Sequence, residues 1–130
     1  MIAELSNTKN IEVFFLQETH STADNEVVWG MTRRGNFFLS HGTNLSAAVA
    51  ILFSQHLTLT HIISCEVEEG RVQVVQAVIK ISTHFVFINV YATNSSSDHV
   101  RLFHKLNDKL KQLNSLLCRC KKHGDRDQLN

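Results

Sequence analysis

The segment Phe85–Ala92 (F-V-F-I-N-V-Y-A) constrains the fold most, because it is apolar on both faces until Asn89. A short run rich in β-branched and aromatic residues reads as a strand. A strand that is apolar on both sides needs cover on both sides, which argues against a single sheet with one open face. The chain has the material to supply that cover: of its 130 residues 43% are apolar and 19% charged, a globular balance rather than a disordered one.

Other segments fall into place around it. Ile11–Leu16 (I-E-V-F-F-L) reads as another buried strand, stopping at the polar run Gln17-Glu18-Thr19-His20. Thr22 or Asp24 is placed to cap a short helix through Val27, Val28 and Trp29, stopped near Gly30. Asn36–Ser40 is a second strand, His41–Asn44 a turn, and Ala47–Phe53 a third strand whose alanines suit close packing on one face. His61–Val67 and Val72–Ile81 flank Glu68-Glu69-Gly70, a hairpin signature. Thr93–Ser97 is a polar loop that supplies caps for the final helix. From about Asp98 the period turns helical, with Phe103, Leu106, Leu110, Leu113 and Leu117 on one face and an end predicted near Gly124. This order of strand, helix, several antiparallel strands and helix is an α+β pattern without a repeat or linker.

Charge and cysteine usage narrow the function classes. A formal net charge of +1 gives no strong overall field for nucleic acid or membrane, so any polyanion site must be local. Cys65, Cys118 and Cys120 are an odd count without a disulfide framework, which suits a reducing compartment. Residues 1–10 carry no signal-peptide core, and no run reaches the roughly 18 apolar residues that span a bilayer. The expectation is a soluble, intracellular chain.

Glu18 is the first candidate for chemistry. A carboxylate directly after a buried strand lies at a sheet edge and is a hard oxygen ligand suited to Mg2+; the plainer reading is a solvated strand-end residue. Cys118, Cys120 and His123 form C-x-C-x-x-H, a conceivable part of a zinc site, against a frayed helix end. Arg33-Arg34 and the cluster Arg119, Lys121, Lys122 and Arg126 are placed to touch phosphates, against a solvated helix terminus.

Four motifs in order resemble the endonuclease/exonuclease/phosphatase superfamily. They are L-Q-E-T-H (Leu16–His20), F-L-S-H-G (Phe38–Gly42) with A-A-V-A-I-L (Ala47–Leu52), F-I-N-V-Y-A-T-N (Phe87–Asn94), and R-L-F-H-K-L (Arg101–Leu106). The nearest branch is the apurinic-type endonuclease of LINE-type retrotransposons, and the resemblance runs from about Ile2 to Leu117. It implies a DNase I-like fold, a four-layer α/β–β/α sandwich of which this chain carries about the first half. It also implies Mg2+-dependent hydrolysis of DNA phosphodiesters, and a nuclear location. By position Glu18 matches the metal ligand, Tyr91 the tyrosine near the phosphate, and Asn94 the asparagine closing that motif. Asp125 matches the aspartate of the G-D-x-N motif. Tyr91 also reads as a strand-end aromatic with a wet hydroxyl, and Asn94 as a turn residue.

The departures bear on activity. The superfamily's opening strand is expected before residue 1, with Met1–Leu5 as the tail of a helix, and Asp127 stands where G-D-x-N requires asparagine. Thr93 replaces a proline, which is expected to loosen that loop. The closing strands with the Asp–His general-base pair have no counterpart, and His20, His84, His99 and His104 read as loop, turn or helix-surface residues. The domain is expected over residues 1–122, with 123–130 a divergent tail. The resulting expectation is an impaired nuclease, or a non-catalytic remnant that binds nucleic acid or protein. One sheet is expected to lack its partner, so that an open apolar face drives self-association.

Overall fold

The computed structural model describes residues 11–32, 35–42 and 48–128, with only the backbone described for Trp29, Met31, Thr32 and residues 116–128. The expected helix tail at Met1–Leu5, the pair Arg33-Arg34 and the second half of the His41–Asn44 turn lie outside the described residues. The chain divides into two compact units, residues 1–92 and 93–130.

The first unit is an α+β arrangement of two three-stranded antiparallel sheets. Strands β1 (Val13–Gln17), β2 (Phe37–Ser40) and β3 (Val49–Phe53) form one sheet in the order β1-β3-β2. Strands β4 (Leu59–Glu68), β5 (Val72–Ile79) and β6 (Thr83–Val90) form the other in the order β4-β5-β6. The two central strands, β3 and β5, are buried along their whole length, which accounts for their near-continuous apolar sequences. Ile51 and Phe53 of β3 meet Val75 of β5, and Val13, Phe38, Leu57, Leu59 and Phe87 close around them. Phe53 packs edge-on against Phe87 at 5.0 Å and against Phe38 at 5.8 Å. The sheets therefore cover one another, and the expectation of a sheet lacking its partner is corrected. Exposed apolar side chains among the described residues are scattered, at Phe15, Val27, Val28, Ile81, Phe85 and Val86 among others.

Between β1 and β2 a single 3-10 turn (Ala23–Asn25) leads into helix α1 (Glu26–Thr32). Thr22 is the cap, in a reciprocal box with Asn25. The helix runs two residues past Gly30, since a glycine inside a helix costs only about 1 kcal/mol against alanine and need not end it.

The β4–β5 hairpin forms where Glu68-Glu69-Gly70 predicts it, and its tip docks on the other sheet. Gly70 has φ +69°, and a Cβ there would lie 2.5 Å from Gly42 Cα, so only glycine allows the approach. The Gly70 amide donates to Ser40 Oγ at 2.7 Å and its carbonyl accepts from Ala48 N at 3.0 Å.

The second unit is helix α2 (Ser96–Gln128), four residues longer than the expected end at Gly124. Its buried positions are Leu102, Leu106 and Leu113, so the expected stripe holds at Leu106 and Leu113, and Leu102 takes the place expected for the exposed Phe103. The side chain of Leu117 lies outside the described residues. Thr93 does not loosen the lead-in: its hydroxyl donates to Asp98 Oδ2 at 2.6 Å, and its carbonyl bonds the His99 ring. Asp98 in turn pairs with Arg101 at 2.6 Å.

Candidate active site

At one end of the paired sheets, β1, β2, β4 and β6 finish while β3 and β5 begin. Two amides fasten this end. Asn89, buried at the close of β6, donates from Nδ2 to the carbonyls of Leu16 (2.9 Å) and Ala50 (3.1 Å), joining β6 to β1 and β3. Gln17 returns the link, its Nε2 donating to the Val90 carbonyl at 2.7 Å and lying 3.4 Å from Asn89 Oδ1. Buried polar groups satisfied in this way fix a register that apolar packing alone leaves free to slide.

The next residue on each strand is a site candidate. Glu18 follows Gln17 with φ +54°, and His20 has φ +51°. Left-handed backbone at non-glycine residues costs free energy and persists where the surroundings enforce it. Thr19 N bonds the Ala48 carbonyl at 3.3 Å, holding the turn beside β3. On the other strand Tyr91 N bonds the Arg71 carbonyl at 2.7 Å, and the Tyr91 hydroxyl donates to Glu18 Oε1. The structure thus brings together Glu18 and Tyr91, which are 73 residues apart.

The hydrogen bond to Glu18 holds the Tyr91 phenol above its usual value; desolvation and the Glu18 charge push the same way, and Arg71 pulls it down. Tyr91 therefore remains a donor at neutral pH and orients the exposed carboxylate.

A second set of contacts steadies the Glu18 loop. His41 places Nδ1 3.0 Å from Ser21 Oγ and Nε2 3.2 Å from Glu26 Oε2, and Thr19 Oγ1 donates to Ser21 Oγ at 3.1 Å. Ser21 is buried, so the trio Ser21, His41 and Glu26 ties the loop to α1 and the end of β2. Sequence reasoning missed Gln17, Asn89 and this trio. The available signal was a set of polar residues at the ends of apolar runs.

The remaining expected site residues lie in the second unit. Asn94 is an exposed bend residue two positions before α2. Asp125 sits on the backbone of α2, and its side chain lies outside the described residues, as do those of Cys118, Cys120 and His123.

The set offers one hard oxygen ligand, the Glu18 carboxylate held by the Tyr91 hydroxyl, and no group of three or more His, Cys, Asp or Glu residues is assembled among the described residues. Such a set fits a cation that keeps most of its water, as Mg2+ does, better than zinc, which takes at least three protein ligands.

Solved structures of the same architecture are of Caenorhabditis elegans TDP2. One superposes with a TM-score of 0.59 at 16% identity, covering 88% of this chain and 37% of TDP2. A truncated form gives 0.58 at 16% identity, covering 88% of this chain and 48% of that one. The likeness is one of fold. It shows a partial DNase I-like sandwich, the architecture expected from the motifs. In sequence, the Xenopus laevis transposon TX1 uncharacterized 149 kDa protein is 30% identical over 103 residues, which is 79% of this chain and 8% of that protein. No family model matches the chain. The chain spans less than half the length of the TDP2 structures and under a tenth of the transposon protein. Among the described residues no helix is long and apolar enough to cross a membrane.

Proposed function

We propose that the chain belongs to the endonuclease/exonuclease/phosphatase superfamily, and that its Glu18–Tyr91 end binds Mg2+ and hydrolyses DNA phosphodiesters slowly. The observation that carries this reading is the Tyr91–Glu18 hydrogen bond, which joins the two strand-end motifs of the resemblance at one point. Glu18 would hold the ion, which when bound supplies positive charge for the phosphoryl oxygens. Tyr91 would hold the Glu18 carboxylate in place through its hydrogen bond, its hydroxyl remaining protonated. Asn94 and Asp125 enter the proposal only as the positions that match the asparagine closing the Tyr91 motif and the aspartate of G-D-x-N. DNA as the substrate follows the motif resemblance, and a LINE-type origin is the finer form of the same reading, in line with the likeness to a transposon protein.

The rate is expected to be low. A general base typically contributes about a hundredfold to ten-thousandfold, and Glu18 and Tyr91 already serve as ligand and donor. That same observation favours a second reading, a non-catalytic module that binds nucleic acid or protein through this end. Nicking of supercoiled plasmid with Mg2+ separates the two. Activity that is lost in Glu18→Ala supports the enzyme, and equal absence of nicking in both chains leaves the binding module.

A further inference from the structure

Glu18 stands on a turn that its own sequence does not hold. Glu18 (φ +54°) and His20 (φ +51°) are left-handed, and so is Ala48 (φ +90°), whose carbonyl receives Thr19 N. Non-glycine residues keep such angles only where their neighbours enforce them. The main-chain bond from Thr19 to Ala48 is 3.3 Å, beyond the usual range, so it is a weak clamp by itself. A second clamp runs through side chains: Thr19 to Ser21, Ser21 to His41, and His41 to Glu26.

The chemistry of the four groups gives this chain a direction. A carboxylate only accepts, so the His41 nitrogen 3.2 Å from Glu26 Oε2 carries the proton. In the neutral ring Nδ1 is then an acceptor, and Ser21 Oγ donates to it across 3.0 Å. Ser21 Oγ in turn accepts from Thr19 Oγ1 at 3.1 Å, and Thr19 Oγ1 accepts from Ser21 N at 3.4 Å. Each proton has one place, from Thr19 through Ser21 and His41 to Glu26. A serine, an imidazole and a carboxylate in a row is also the make-up of a nucleophile with its base. Ser21 is only 2% exposed, however, which closes it to a substrate. The far anchor is firm: beside His41, Ser40 is buried and its Oγ accepts from Gly70 N at 2.7 Å.

We infer that His41 is a positioning residue for Glu18, holding the turn through Ser21 and Thr19 with its proton on Nε2. The turn carries the carboxylate that Tyr91 meets from the other sheet, so freedom in the turn becomes freedom at Glu18. Groups that orient a metal ligand from behind typically change metal affinity about ten- to a hundredfold when removed. Only that effect on affinity rests on the Mg2+ reading; the geometry of the turn stands without it.

Long-range nitrogen–proton spectra of the full chain at about pH 8, where an imidazole is ordinarily neutral, are expected to show His41 protonated at Nε2. Two substitutions then divide the ring. In His41→Asn the side-chain oxygen stands where Nδ1 stands and still accepts from Ser21, whereas His41→Gln reaches to Glu26 and gives Ser21 no acceptor. Without Mg2+, the amide signals of Glu18 and Thr19 and the ring signals of Tyr91 are expected to move in His41→Gln. In His41→Asn they stay near those of the wild type, and the amides of β5 check that both variants are folded. With Mg2+ added, His41→Gln should bind it about ten- to a hundredfold more weakly than the wild type. Unmoved Glu18, Thr19 and Tyr91 signals in His41→Gln would overturn the inference, as would equal shifts in both variants or a ring protonated at Nδ1. If the wild type binds no Mg2+, the Mg2+ reading falls, and the metal-free spectra still decide the role of His41.

Discussion

Tyr91 is the only tyrosine in the chain, so its ionisation can be read directly from tyrosinate absorbance. Its midpoint is expected above the ordinary value of about 10, and Glu18→Gln should bring it down by removing both the charge and the strongest hydrogen bond. A phenol whose folded pKa is raised stabilises the fold fully below its unfolded value, and that contribution is lost as pH rises through the folded value. Unfolding monitored by circular dichroism should therefore show the wild type more stable than Tyr91→Phe below about pH 10, with the difference closing as pH rises through the folded value. Asn89→Ala removes the donor to the Leu16 and Ala50 carbonyls, at a cost of about 1–3 kcal/mol in urea unfolding. At this scale Glu18 and Tyr91 were legible, because each ends a motif in its own strand. Gln17 and Asn89 were not: their partners lie 73 residues away, and that distance in sequence carries no local pattern.

Among the elements, most strands were legible within two residues because their apolar runs are bounded by polar turns. The helices were less so. A glycine signalled the end of α1 at Gly30, but tertiary contacts outweigh a propensity of about 1 kcal/mol. A Cβ at Gly30 would meet only the Phe37 ring, at 3.7 Å, so Gly30→Ala is expected to stabilise the chain by roughly 0.5–1 kcal/mol in thermal melts. Gly70→Ala should do the opposite and by more, because it combines φ +69° with a backbone clash at Gly42. A melting temperature unchanged in Gly70→Ala would contradict the docking of the hairpin tip. The α2 stripe was legible at Leu106 and Leu113, but its first member was not, because the helical period alone admits Leu102 or Phe103. Burial chooses Leu102.

For the molecule as a whole, two-sided cover was readable from the apolar run at Phe85–Ala92, and the sheets do cover each other. Which surface stays open was not readable, since a sequence does not show which strand lies at an edge. The pairing of the sheets also builds the candidate site, because the amides that lock β1, β3 and β6 set Glu18 beside Tyr91. The central claim is that this end is a Mg2+ site. Titration of the isotope-labelled chain with Mg2+ at neutral pH, followed by amide chemical shifts, tests it most directly. Shifts should concentrate at Glu18, Thr19 and Tyr91 and vanish in Glu18→Gln. Shifts confined to other residues, or unchanged in that variant, would contradict it.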